Sequence, residues 1–179
     1  MEDYAYVLDV LPEGRPDSKR RFRREAVVYG LGIEEFKIFD MKPIPGAAIN
    51  IGDRCYIGKE TEERTQIDHV RARVNFVELT HTAQSELGFV LDEIVKENEE
   101  KFIQFYNHAG PISRRYHSLE LIPGLGKKTM NLIVSNRPYS NFKEMEEKIP
   151  NFRNPEKYIS QRIESEIKES DQKYRLFVR

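Results

Sequence analysis

The sequence is poor in the features that would place it outside the cell, in a membrane or among simple polyelectrolytes. Cys55 is its single cysteine, so neither an intramolecular disulfide nor a cysteine-rich zinc site can form, and nothing speaks for an oxidising compartment. No run approaches the ~20 consecutive apolar residues that a membrane-spanning helix requires. Met1, Glu2 and Asp3 make the start of the chain acidic where a signal peptide would be basic. Net charge is also missing: 29 Lys and Arg against 30 Asp and Glu leave −1, which excludes indiscriminate coating of nucleic acid and equally a polyacidic tail protein. The expectation is a cytoplasmic protein with no membrane partner.

Signs of catalysis are scarce too. His69, His81, His108 and His117 include no close helical pair with zinc-ligand spacing, and ordinary polar surface accounts for them. Cys55 lies within a predicted strand, where packing explains it better than nucleophilic chemistry. Neither Gly-x-Ser-x-Gly nor an acid-rich nuclease signature stands out. The sequence therefore argues against an enzyme and implies no organic cofactor. A metal-dependent nuclease built from scattered residues stays as an alternative.

What is present is a folded chain of 179 residues, 39% hydrophobic, with 10 Phe and 9 Tyr to anchor a core. That length suits one ordinary domain or two small ones. A charged content of 33% and a mean hydropathy of −0.67 hint at disorder, but aromatic anchors run through the whole chain.

Charge is unevenly placed. Residues 1–80 hold 13 basic and 15 acidic side chains, 81–110 hold 2 and 6, and 111–179 hold 14 and 9. Between 111 and 143, Arg114, Arg115, Lys127, Lys128, Arg137 and Lys143 face the single acid Glu120. A second cluster comprises Arg15, Lys19, Arg20, Arg21, Arg23 and Arg24 against Asp17 alone. Two local basic patches in a neutral protein are the electrostatic footprint of a phosphate-backbone binder, although solvated loops account for such charge equally well.

The first 80 residues read as β structure. Tyr4–Leu11, Glu25–Leu31, Phe36–Met41, Cys55–Ile57 and Ile67–Leu79 are short apolar runs punctuated by glycine and proline. In the last, Val70, Ala72, Val74 and Phe76 alternate with His69, Arg71, Arg73 and Asn75, which predicts a buried face and a basic outward one. Five strands without intervening helices predict a closed antiparallel barrel, OB-like in the first instance and SH3-like as the alternative. Arg71 and Arg73, with Arg20, Arg21, Arg23 and Arg24 in the loop beside them, are candidate contacts to nucleic acid.

After Thr80 the period changes. Leu87, Val90, Leu91, Ile94, Val95, Phe102, Phe105 and Tyr106 recur at helical steps, predicting one long linking helix over 81–110, with Thr82 as N-cap and Gly110-Pro111 as its stop. Its acids Asp92, Glu93, Glu97, Glu99 and Glu100 are expected on a solvated face.

Leu119 to Thr129 reads Leu-Glu-Leu-Ile-Pro-Gly-Leu-Gly-Lys-Lys-Thr. Two glycines allow a tight turn and close approach of a ligand. The open amides of the following helix, Lys127 to Asn136, offer an anion site. A tight turn between packed helices is the plainer reading. A nucleotide-binding P-loop does not fit the glycine spacing or the helical segment before it. An echo follows 27 residues on, where Ile149, Pro150, Asn151 and Phe152 mirror Ile122, Pro123, Gly124 and Leu125. Asn154 caps and Pro155 starts the next helix, which carries Ile159, Ile163 and Ile167. Tyr174, Leu176 and Val178 alternate with polar and aromatic neighbours and suggest a terminal strand at the barrel edge.

The glycine segment resembles the helix-hairpin-helix motif, a clamp on phosphodiester backbone. The resemblance implies that the amides of Gly124, Gly126, Lys128 and Thr129 bind phosphate, with Lys127, Arg114 and Arg115 adding charge. It implies further that the carbonyls of Glu120, Ile122 and Leu125 hold a monovalent cation, K⁺ or Na⁺. Met130 stands where that motif usually has a small residue, which implies a helix pair packed a little wider. The second hairpin lacks both glycines and is expected to be structural. Over nearly its full length, and most specifically at His108–Ile112 and His117–Lys128, the chain resembles an archaeal family labelled as domain of unknown function 655. That resemblance supplies no reaction. The order of barrel and hairpins also resembles the junction-binding subunit of bacterial branch-migration machinery, by architecture alone.

The fold expected is thus α+β: an OB-like barrel (1–80), a linking helix (81–110), tandem helix-hairpin-helix repeats (111–170) and a tail (171–179). The function expected is largely sequence-independent binding of DNA or RNA. The alternative is a protein-interaction module in a nucleic-acid-processing or ribosomal assembly.

Overall fold

A computed structural model describes residues 1–15 and 25–179. Arg20, Arg21, Arg23 and Arg24 lie outside the described residues. The described residues form a mixed α+β fold with a five-stranded antiparallel curled sheet and five helices. It divides into two compact units, Met1–Val90 with Ile167–Arg179, and Leu91–Glu166.

In the first unit the strands are β1 (Tyr4–Leu11), β2 (Val27–Gly32), β3 (Ile38–Pro43), β4 (Arg54–Tyr56) and β5 (Ile67–Val74), in the order β4-β1-β2-β3-β5. Every β2 residue is buried, and so are five consecutive residues of β1. These strands are covered on both faces, which is why they read as apolar runs and not as alternations. Ala5, Val7, Val28, Met41, Cys55, Ile57 and Ile67 form one core cluster.

The sheet is a half-barrel, which corrects the closed barrel expected from sequence. Among the described residues β4 pairs only with β1 and β5 only with β3. In the connection from β4 to β5 the Arg64 guanidinium ties the two ends: Nε and Nη2 donate to the Gly58 carbonyl (2.9 and 2.6 Å) and Nη1 to that of Asp68 (2.8 Å).

Four further expectations change. β5 stops at Val74 and Phe76–Glu78 forms a 3₁₀ turn, because the Glu78 carboxylate accepts the Asn75 amide (2.6 Å). Two register shifts against β3 also break the alternation of β5, so that Arg71 is half-buried while Ala72 is exposed. The long helix is two, α1 (His81–Glu97) and α2 (Glu99–His108). Asn98 separates them with φ −112 and ψ 37, while its backbone and side chain both donate to the Ile94 carbonyl (3.1 and 2.9 Å). The N-cap of α1 is Thr80 rather than Thr82. Thr80 Oγ1 accepts the Ala83 amide (3.1 Å) and donates to the buried Asp9 (2.6 Å). Finally, the tail forms no strand: Val178 is buried, and the Arg179 amide makes one bond to the Glu35 carbonyl (3.2 Å).

The second unit contains the end of α1, α2, α3 (Lys127–Ser135), α4 (Phe142–Lys148) and most of α5 (Pro155–Lys168). Tyr106 is fully buried, donates its hydroxyl to the Pro155 carbonyl (2.7 Å) and packs edge-on against Phe142 and Phe152. The acidic face of the predicted linker is only partly solvated. Asp92 accepts from Lys157 Nζ (2.9 Å) and Ser160 Oγ (2.6 Å), and Glu99 accepts the Phe142 amide (2.7 Å). Glu93, Glu97 and Glu100 are exposed.

Candidate nucleic-acid interface

Residues 118–135 form a 3₁₀ turn (Ser118–Leu121), a tight turn and α3. The element before the turn is thus one 3₁₀ turn, shorter than a full helix. Leu119, Ile122, Leu125 and Ile133 are buried and fix the segment by its apolar side. Pro123, Gly124, Gly126, Lys127 and Lys128 are exposed. Gly124 has φ +81, a conformation that costs an L-residue roughly 1–2 kcal/mol. Gly126 is the N-cap with φ −79, and a Cβ built there meets nothing within 4 Å. The Leu125 amide returns to the Ile122 carbonyl (3.2 Å), and Met130 is the first helical amide with an acceptor, the Gly126 carbonyl (2.9 Å). The amides of Lys127, Lys128 and Thr129 therefore sit in the first turn of α3 with no acceptor from the helix itself. Met130, the residue that departs from the motif, is half-buried. Of the carbonyls implicated in cation binding, that of Ile122 already accepts from Leu125, while Glu120 uses its carboxylate to accept the His117 amide (2.8 Å).

The second hairpin, between α4 and α5, repeats this geometry. Asn151 takes φ +65 at the position matching Gly124, and the Phe152 amide returns to the Ile149 carbonyl (3.4 Å) as Leu125 does to Ile122. Asparagine tolerates the left-handed region better than other side-chain-bearing residues. The difference lies at the helix start. Glu146 Oε1 accepts the Asn154 amide (2.9 Å), with Arg153 at 3.9 Å from Oε2. A carboxylate of the chain itself thus occupies the mouth of the second hairpin.

A buried ion pair braces the first. Arg162 Nε bonds Glu166 Oε1 (3.0 Å), and its Nη1 donates to the carbonyl of Leu121 (2.9 Å), the last residue before the turn. Side-chain exposure is 9% for Arg162 and 0% for Glu166, so losing either partner would strand a buried charge. Sequence reading missed this pair, and only its i, i+4 spacing could have flagged it.

Ahead of the hairpin, residues 111–117 form a small turn with exposed Arg114 and Arg115 at its tip. His117 follows, and its Nδ1 accepts the Leu119 amide (3.1 Å). Burial, helped by the nearby Arg137, holds its pKa below the ordinary 6.5.

The half-barrel arginines are engaged differently. Arg71 donates to the Ala26 carbonyl and lies 3.4 Å from Asp40, so its guanidinium ties strands together and does not project outward. Burial raises the pKa of Asp40 even against the pull of Arg71 and Arg15. Arg73 is exposed and donates to the Arg179 carbonyl (3.1 Å). Cys55 is fully buried, with its thiol pushed up to about 11 by that burial. Among the described residues no group of three or more His, Cys, Asp or Glu is placed to hold a metal ion, and no helix is long and apolar enough to cross a membrane.

Comparison with known proteins places residues 1–179 within the family model described as protein of unknown function, DUF655. The uncharacterised protein MJ0038 of Methanocaldococcus jannaschii is 43% identical over 182 residues, covering 99% of this chain and 80% of that protein. The crystal structure of Af1531 from Archaeoglobus fulgidus, assigned to the same family, superposes with a TM-score of 0.90 at 38% identity. That match covers 99% of this chain and all of the other.

Proposed function

The chain belongs to the DUF655 family, which has no assigned function, and on that footing we propose that it is a sequence-independent nucleic-acid-binding protein that grips the phosphodiester backbone. In this reading residues 118–135 are an active helix-hairpin-helix and α4 to α5 its degenerate partner. The half-barrel, with its β4-β1-β2-β3-β5 order, corresponds to a partly open OB-like barrel.

One observation carries the reading. Two hairpins share the left-handed turn residue and the same return bond, but only the second has a carboxylate at its helix start. The first presents open amides, the positive end of α3 and the exposed Lys127 and Lys128, where an anion of the ligand takes the place of Glu146. A K⁺ or Na⁺ at the carbonyls of Glu120, Ile122 and Leu125 belongs to this proposal and would bridge turn and phosphate.

Gly126→Val is the decisive variant, because the open space at that position accommodates the side chain while the path of a phosphate is blocked. The affinity of the full chain for duplex DNA and structured RNA should fall at least about tenfold, the worth of one charge-assisted hydrogen bond of roughly 1.5 kcal/mol. In the companion variant Lys127→Ala with Lys128→Ala, the log-log salt slope should flatten by about 0.7 to 0.9 per lost phosphate contact. Unchanged affinity and slope would remove the clamp. A protein-interaction role is the second reading, favoured by Val77 and Phe89, apolar side chains that are 79% and 68% exposed. A partner retained at high salt after nuclease treatment would support it.

A further inference from the structure

The turn at residues 111–117 has a construction that backbone gripping does not use. Its shape is set by hydrogen bonds. The amides of Ile112 and Ser113 donate to the Tyr116 carbonyl (2.8 and 3.2 Å), Ser113 Oγ accepts the amides of Arg115 and Tyr116 (both 3.2 Å), and Pro111 bridges His117. The base is closed by the Ser118 amide on the Gly110 carbonyl (2.9 Å). Such a tip keeps its form without burying side chains.

Its side chains are correspondingly displayed. Tyr116 is 48% exposed and Ile112 38%, and Arg114 and Arg115 stand beside them with no acidic residue between 111 and 119. A half-exposed aromatic ring on a preformed turn, preceded in sequence by two exposed arginines, matches the chemistry of an unpaired nucleobase. Stacking on an aromatic ring exposed to this extent is indifferent to base identity, and guanidiniums at the same tip neutralise neighbouring phosphates. A paired base inside a duplex has both faces covered by its neighbours and cannot take that position.

We propose that the 111–117 turn is a stacking platform for an unpaired base, with Tyr116 as the stacking ring and Arg114 and Arg115 as its phosphate contacts. The preferred ligand is then a single strand, or a duplex with a single-stranded flank. The inference rests on the nucleic-acid reading above, and it adds the class of ligand.

The test is fluorescence anisotropy with the full chain on three labelled probes: a single-stranded oligonucleotide, the matching blunt duplex, and that duplex with an unpaired 3′ extension. Wild type should prefer the first and third. Tyr116→Ala should weaken those two roughly tenfold, the scale of one lost base–aromatic stack, with an unchanged salt slope. It should leave the blunt duplex within about twofold, which also reports an intact fold. Tyr116→Phe should bind like wild type. Equal loss on all three probes, or no loss on any, would overturn the platform while Gly126→Val still reported on the clamp. Failure of wild type to bind any probe would overturn both.

Discussion

His117 sits between the arginine turn and the glycine hairpin and is held as a neutral ring. Its Nδ1 accepts the Leu119 amide, which requires the proton on Nε2. Burial, then Arg137, lowers its pKa in the folded chain, with Glu120 opposing. The unfolded chain therefore takes up this proton first as pH falls. The stability that His117 contributes is complete above the unfolded value near 6.5 and is lost as pH drops from there through the lowered folded value. Thermal unfolding midpoints should decline from pH 7.5 to pH 5, and His117→Asn, which keeps a capping acceptor without titrating, should flatten that decline. An identical decline in the variant would show that other groups carry the pH dependence. Cys55 matches the packing role read from its strand position: it is buried, with a thiol pushed up to about 11.

At the level of elements, the two hairpins give the most direct link from sequence to backbone. Gly124 and Gly126 look alike in the sequence but differ in conformation, φ +81 against −79. Gly124→Ala should destabilise the chain by roughly 1–2 kcal/mol through its left-handed backbone, whereas Gly126→Ala, at an N-cap with an ordinary φ, should cost less, about 0.5 kcal/mol from the poorer cap alone. Urea denaturation of the two variants checks this, and equal losses would contradict the turn. The Ile-Pro-Gly-Leu and Ile-Pro-Asn-Phe echo was legible because a turn imposes local φ requirements that leave a residue signature. The division of the long helical stretch at Asn98 was not legible. The apolar period continues across the break, which consists of one residue, Asn98, leaving the helical conformation (φ −112, ψ 37) while its side chain shares the Ile94 carbonyl. The extent of β5 was misjudged for a similar reason, since Glu78 reaches back to Asn75 and turns the chain within an apolar pattern.

For the molecule as a whole, the half-barrel leaves its edge strands β4 and β5 unpaired with each other, and Arg64 braces the connection between them with three hydrogen bonds to two carbonyls. Arg64→Ala should lower stability by about 1–3 kcal/mol in chemical denaturation, and Arg64→Lys should recover little, because an ammonium lacks the planar fork that reaches both carbonyls. Full recovery by lysine would reduce the contact to simple charge. The near-neutral total of 29 bases and 30 acids also takes on structure at this level: Asp92, Glu99 and Glu146 serve as internal acceptors, while Lys127, Lys128, Arg114 and Arg115 stay exposed. Local chemistry along the chain was enough to mark the five strand regions, β1 to its exact bounds, the glycine turn, and the Asn154-Pro155 start of α5. Periodicity, capping and left-handed turns are satisfied by near neighbours and so leave their mark in the sequence. The opening of the barrel, the engagement of Arg71 by Ala26 and Asp40, the seating of Glu146 on the second hairpin and the burial of Arg162 with Glu166 beneath the first came only with the folded chain. Arg71 meets partners far away in sequence, whereas Glu146 and Asn154 are eight residues apart and Arg162 and Glu166 four; all of these contacts depend on which groups the packed core brings within hydrogen-bonding distance.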